Sequence, residues 1–404
     1  MPSGDGWQGE VLRDLRGGGA QQDAQVLGGQ AYNASSPASG PSAQSTQASR
    51  AAHEVGAHQQ AAPYSGQEQQ GGYPHQELRQ QAPAAYAAGQ QHPQPQGAPV
   101  SRPMVDEELA NAMRRKPQHG ESFVTRAARV LRRTLSSSAA REVAAVAETA
   151  GVLQQPVTTG RQIAVTSIRG GSGKSTVAAL LGTTFAHYRQ DPVLVLEADP
   201  ALGSVPLRLG AQTRRWTTSD VADIVKPDMS LLDVTGYLVQ LPNNAWLLPA
   251  SQGQIGAMLD SQAYERAVVA LRRYFGVMVI DCETLPAEVA RVALAAAHGR
   301  VLTTPATPEG ISSTYCVLQW MQKLPRHVID GTVVVLTELV PHCGIDLDEA
   351  TQKLRSLGVG VQVLPYDRHL AASGPIQTEL LAHPTRQAAA RITADAFRLS
   401  QRRH

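Results

Sequence analysis

A chain of 404 residues, 42% of them hydrophobic, is long enough for two or three domains and apolar enough for a sizeable core. Its three cysteines, Cys282, Cys316 and Cys343, are too few and too scattered for a disulfide framework or a paired-cysteine metal site, and they fit a reducing cytoplasm. The formal charge of +2 divides into −3 on residues 1–100 and +5 on the remainder, so the N-terminal part is no basic nucleic-acid arm; neither an apolar leader nor a run of roughly 18 apolar residues that would span a bilayer is present.

Residues 1–103 are rich in Gln, Ala, Gly, Pro and Ser and nearly lack large aliphatic side chains past Leu27. Such a segment buries too little apolar surface to offset its chain entropy and is expected to be a disordered tail. Within it, Trp7, Val11, Leu12 and Leu15 recur at helical spacing over 7–15. That spacing reads either as a short recognition helix on a tether or as chance. Residues 104–152 read as a basic helical linker, with eight Lys or Arg against four Asp or Glu between 101 and 135. There Phe123, Ala127, Val130 and Leu131 share one helical face and Arg126, Arg129 and Arg133 another. Such a helix docks on the neighbouring domain, lies on an anionic membrane or binds a partner, and the short apolar face favours docking.

From Arg161 the pattern turns α/β. Strands are expected at 162–168, 193–196, 246–249, 277–280, 301–304, 333–337 and 361–364. Helices are expected at 176–188, 287–297, 311–322 and 384–402. Apolar strands alternating with helices predict a three-layer fold with a mostly parallel sheet covered on both faces, occupying residues 160–404.

Strand 162–168 runs into Arg169-Gly170-Gly171-Ser172-Gly173-Lys174-Ser175-Thr176 and then a helix. Glycines let backbone N–H groups converge on phosphate oxygens, and the helix N-terminus adds its positive end. In this arrangement Lys174 reaches the β- and γ-phosphates of a nucleotide, Ser175 supplies a hydroxyl to Mg²⁺, and Thr176 sits by the α-phosphate. The strict pattern GxxxxGK[ST] is not met, because its first Gly falls on Ile168. Val277–Asp281 is an apolar run ending in a carboxylate, a pattern that holds the metal through water. Cys282 reads as a buried small residue rather than a nucleophile, having no His near it in sequence.

These motifs, RGGSGKST foremost, resemble the deviant Walker A ATPases of the ParA/MinD family over about 160–400. The resemblance implies ATP and Mg²⁺ as ligands. It places Asp199 of Glu197-Ala198-Asp199-Pro200 where the family's switch carboxylate polarises the attacking water, with Glu197 longer than the usual first carboxylate. Leu364-Pro365-Tyr366-Asp367 is similar to the family segment beside the base, which assigns Pro365 and Asp367 to the nucleotide. Thr337 stands where many relatives carry the adenine-reading Asn. Arg169 replaces the family's Lys that reaches a partner subunit's phosphates, and either acts in trans like an arginine finger or points to solvent. Within the family the chain looks most like actinobacterial MinD-like proteins associated with type VII (ESX) secretion.

The resemblance thus implies a slow ATP-hydrolysing switch that dimerises around ATP and positions or regulates a cargo, be it chromosome, division or secretion complex. The departures at Glu197, Glu283 and Thr337 keep a second reading open, a nucleotide-binding scaffold with little turnover. The expected partners are a second copy of the chain and a protein recruited by the tail. Peripheral membrane contact and nonspecific DNA contact through Arg386, Arg391, Arg398, Arg402 and Arg403 stay open, which would put the cytoplasmic protein at the inner membrane face or on the nucleoid. The C-terminal apolar residues Ile392, Phe397 and Leu399 make a small face that suits packing on the core.

Overall fold

The computed structural model describes residues 99–104 and 139–402, apart from positions 202, 255 and 342. The 7–15 segment and the 123–133 helical faces lie outside these residues.

Eight strands form one sheet. In chain order they are β2 (Arg161–Ser167), β3 (Val193–Ala198), β5 (Val239–Leu241), β6 (Ala245–Leu248), β7 (Val277–Cys282), β8 (Gly299–Pro305), β9 (Thr332–Thr337) and β10 (Gly360–Leu364). A separate two-stranded pair joins β1 (Arg102–Pro103) to β4 (Thr213–Arg214). Across the large sheet the order is β10-β9-β8-β2-β7-β3-β6-β5, parallel everywhere except the β5–β6 edge hairpin. That hairpin turns on Asn243 and Asn244, both with left-handed φ near 58°, a conformation Asn tolerates.

Side chains of a strand alternate between faces, so strands covered on both sides are apolar throughout. In β7, Val277 and Val279 enter one core while Met278, Ile280 and Cys282 enter another. In β3, Val193 and Val195 part in the same way from Leu194 and Leu196. The first face is covered by helices α1 (Ala139–Leu153), α2 (Lys174–Tyr188) and the C-terminal helix α7 (His383–Ser400). The second is covered in part by α3 (Ser261–Leu271) and α4 (Glu288–Ala296). A third core lies under α5 (Pro308–Met321) and α6 (Leu347–Arg355).

The predicted strands and helices all form, with ends shifted by up to three residues. The sheet is the expected mostly parallel one, and α7 packs on the core, with Ile392 and Phe397 buried. Helices α3 and α6 were not expected. Each starts on an Asp cap: Asp260 accepts from the N–H groups of Gln262 and Ala263, and Asp346 from those of Asp348 and Glu349.

Three sets of contacts tie α1, α2 and α7 into one layer. Arg189, buried, donates to the carbonyls of Leu153 and Gln155 at 2.8 and 3.0 Å, grips Asp191 through two nitrogens and stacks over Phe397 at 4.7 Å. Phe397 meets Phe185 edge-on at 5.7 Å. Glu142 Oε1 lies 2.6 Å from His383 Nε2 and accepts from Gln387 at 2.6 Å.

Candidate nucleotide site

Ligands of open α/β sheets lie beyond the carboxyl ends of the strands, where the connections diverge. Here β2 is that strand: the chain leaves it toward β3 on one side and later fills β8, β9 and β10 on the other. The segments that follow β2, β3, β7, β9 and β10 converge on a cleft of about 600 Å³. It is bordered by the Gly loop, Asp199, Thr284, Thr337, Pro365 and Asp367.

Gly171 and Gly173 have φ of 76° and 82°, conformations that side chains resist. Gly173 is the N-cap of α2 and provides no side-chain cap, so the first N–H groups of that helix stay available to an anion. Lys174, Ser175 and Thr176 open the helix and border the cleft with Gly170, Gly171 and Gly173. The Lys174 ammonium donates to Thr284 Oγ1 at 3.2 Å, which anchors it to the segment after β7.

Asp281 is the penultimate residue of β7 and is fully buried. Burial pushes its carboxyl up to about 7, against the opposing pull of Ser175 and Lys174. Neither carboxylate oxygen completes a hydrogen bond, although the Ser175 hydroxyl lies near enough to favour the ionised form. A buried, orphaned carboxylate beside a hydroxyl and a phosphate loop suits Mg²⁺, which takes oxygen ligands, keeps waters and relies on substrate phosphates. Among the described residues no group of three or more His, Cys, Asp or Glu is placed to hold a metal ion.

Glu197 is also buried and lies in register with Asp281. Burial pushes its carboxyl up to about 8, while the bond from Ala250 N at 3.1 Å and the nearby Arg214 pull it down. It is thus a largely neutral group at neutral pH. Gly203 packs against it: a Cβ there would stand 2.2 Å from Glu197 Oε1 and 2.5 Å from the Asp199 carbonyl. Burial also pushes up the Cys282 thiol, in keeping with a core residue.

Three predicted site residues stand outside the cleft wall. Ser172 is buried, pairs its hydroxyl with that of Thr303 at 2.9 Å and accepts from Thr337 on its carbonyl. Asp281 lies below the wall. Arg169 is exposed at the rim, where its Nε donates to Ser313 at 3.0 Å. Thr337 borders the cleft, but its hydroxyl donates to the Ser172 carbonyl at 2.9 Å, with the Thr304 carbonyl also in reach at 3.2 Å. It props the phosphate loop. Asp367 caps the short helix Arg368–Ala371 and accepts from Ala382 N at 2.8 Å, so both of its oxygens are engaged.

The cleft adds residues that the motifs did not reveal. Arg208 borders it and donates to the Leu370 carbonyl at 3.0 Å. Glu338 accepts from Tyr366 N at 3.0 Å, joining the ends of β9 and β10. No local pattern marks either one; only the position of Glu338 after an apolar strand hints at the cleft.

A family model described as the CobQ/CobB/MinD/ParA nucleotide binding domain matches residues 163–373, just over half of the chain. The chain is 28% identical over 237 residues to the ESX-1 secretion-associated protein EspI of Mycobacterium tuberculosis, covering 54% of this chain and 34% of that protein. It is 34% identical over 151 residues to the septum site-determining protein MinD of Synechocystis, covering 37% of this chain and 54% of that one. The match thus spans about a third of the one relative and about half of the other. Among solved structures, MinD of Pyrococcus horikoshii complexed with Mg-ADP aligns with 58% of this chain and 94% of that one, at 19% identity and a TM-score of 0.43.

Proposed function

Because the chain belongs to the CobQ/CobB/MinD/ParA nucleotide-binding domain family, we propose that it is an ATP-binding switch that hydrolyses ATP slowly and changes partners with its nucleotide state. The observation that carries this reading is the orphaned Asp281 carboxylate, buried beside Ser175 under an uncapped helix N-terminus. Such a carboxylate and hydroxyl under free backbone N–H groups support a Mg²⁺–nucleotide site.

In this reading backbone N–H groups of 170–176 hold the phosphate oxygens. Lys174 exchanges Thr284 for the β- and γ-phosphates, and Asp199 orients and polarises the attacking water. Ser175 and, through water, Asp281 hold Mg²⁺, which when bound spreads the charge developing on the phosphates. Pro365 and Tyr366 flank the base, while Thr337 and Asp367 keep the loops in place. Two subunits close around ATP, Arg169 leaves Ser313 for the partner subunit's phosphates, and hydrolysis releases them. The relationship to EspI supports a cargo associated with type VII secretion, and the N-terminal tail is the proposed protein-recruiting arm. A cytoplasmic location, with membrane or nucleoid contact as options, goes with this cycle. Among the described residues no helix is long and apolar enough to cross a membrane.

Lys174→Ala tests the proposal. ATP turnover should fall to background and nucleotide affinity should drop, since a charge-assisted contact to phosphate contributes roughly 1.5–3 kcal/mol. Unchanged ATP binding and turnover in this variant would sink it. The neutral, buried Glu197 favours a second reading, a nucleotide-binding scaffold. Turnover that stays at background with added lipid, DNA and a high protein concentration, while ATP still binds, would select the scaffold.

A further inference from the structure

Two acidic side chains border the 600 Å³ cleft on the segments that follow β9 and β10, Glu338 and Asp367. Asp367 engages both oxygens with backbone N–H groups. Glu338 does not. Its backbone N–H donates to the Leu364 carbonyl at 3.0 Å, and its Oε2 accepts from Tyr366 N at 3.0 Å. Main chain and side chain together therefore hold the end of β9 against the end of β10, and the half-buried carboxylate is fixed beside Pro365 and Tyr366, which border the same cleft. Its other oxygen, Oε1, has only the Cys343 thiol, at 3.8 Å.

An ionised carboxylate only accepts hydrogen bonds. On the wall of a cleft it favours a ligand that presents an N–H and disfavours one that presents a further acceptor. Its chain neighbours offer no such discrimination. The Thr337 hydroxyl is committed to the Ser172 carbonyl, and Leu339, Leu364 and Pro365 have apolar side chains. We propose that Glu338 reads the base, its Oε1 accepting from the exocyclic amino group of adenine. The inference rests on the nucleotide reading above, in which Pro365 and Tyr366 flank that base. Adenine carries two N–H donors on this amino group, and a bond from one of them to a carboxylate is charge-assisted. Guanine carries an oxygen at the same ring position, an acceptor that the carboxylate repels. The Tyr366 amide holds the carboxylate in place before a base arrives, which removes an ordering cost that a free glutamate side chain would add.

The test is calorimetric titration of the full chain, in the presence of Mg²⁺, with ATP, with GTP and with purine riboside triphosphate, in which hydrogen replaces the amino group of adenine. ATP should bind at least about tenfold tighter than purine riboside triphosphate, as one hydrogen bond to a charged acceptor implies, and tighter than GTP. Glu338→Ala should lose about tenfold or more in ATP affinity and change little toward purine riboside triphosphate. Glu338→Gln keeps an acceptor oxygen and should retain part of the preference. If Glu338 only ties β9 to β10, its removal weakens both adenine and purine nucleotides alike, and that result would overturn the proposal. Equal affinity of the parent chain for ATP and purine riboside triphosphate, or a preference for GTP, would overturn it too. The comparison of ligands on the parent chain decides the matter even if a variant fails to fold. ATP binding without the preference leaves the switch reading standing, whereas absence of binding by all three nucleotides removes that reading and this one together.

Discussion

Glu197 and Asp281 stand side by side on β3 and β7, both buried and both pushed upward in pKa. Their sequence contexts look alike, an apolar strand ending in an acid, yet their surroundings differ. Glu197 accepts a backbone N–H on Oε2 and leaves Oε1 without a partner, whereas Asp281 has both oxygens unpartnered and a hydroxyl nearby. The first is equipped to be neutral and structural, the second to be ionised by a cation. A stability consequence follows. A carboxyl raised from 4.5 to about 8 holds its proton in the folded state over a range where the unfolded chain has lost it. Stability from this group is therefore present at low pH and is lost as pH rises from about 4.5 to about 8. Glu197→Gln keeps an oxygen for Ala250 N and removes the titration. Its Tm should match that of the parent chain near pH 5 and exceed it by a few degrees near pH 9. Parallel pH–Tm curves for the two proteins would show that Glu197 does not titrate in this way.

At the scale of elements, the Gly-rich turn, the strand runs and the core helices were legible because their signals lie in consecutive residues. A Gly-rich turn, a two-residue alternation and a helical apolar stripe need no knowledge of distant partners. Helix α3 carried such a signal as well, with Asp260 ahead of Ala263, Tyr264, Ala267, Val268 and Leu271, as did α6 with acidic residues at its start and basic ones at its end. The three-residue strand β5 had too short a pattern to stand out. Close packing of α2 on β3 depends on one residue. A Cβ at Gly182 would lie 2.3 Å from Val195 Cγ2, a stiff side chain inside the core. Gly182→Ala should destabilise the protein by about 1–3 kcal/mol, read as a lower urea midpoint with an unchanged slope. A midpoint equal to that of the parent chain would mean the layers separate more easily than their packing implies.

For the whole molecule, the C-terminal helix decides between two roles that its sequence left open. Phe397 is buried against Phe185 and under Arg189, which also grips the end of α1. Phe397→Ala should therefore cost about 3–5 kcal/mol of stability and leave vesicle binding unaffected. Loss of vesicle binding with unchanged Tm would instead make α7 a membrane anchor. Arg169 belongs to this scale too, since its proposed work requires a second subunit. Arg169→Ala should preserve ATP binding, reduce turnover by about 10³-fold or more if it acts like an arginine finger, and be rescued in part by Arg169→Lys. Turnover that is independent of protein concentration and unaffected by Arg169→Ala would place this side chain with solvent.

The order of residues alone established the parallel α/β sheet, the Gly-rich turn that opens α2 at Lys174, and the acids near the ends of β3 and β7, because each depends on backbone preferences and periodicity within a short stretch. Tertiary structure decided which of those groups remain unpaired. Thr337 reaches Ser172 across 165 residues and becomes a prop, Lys174 meets Thr284 across 110, and Glu197 gains a backbone N–H while neither oxygen of Asp281 has a hydrogen-bond partner. Burial and partnership are properties of distant segments meeting, and they set charge state and ligand preference, which no local pattern encodes.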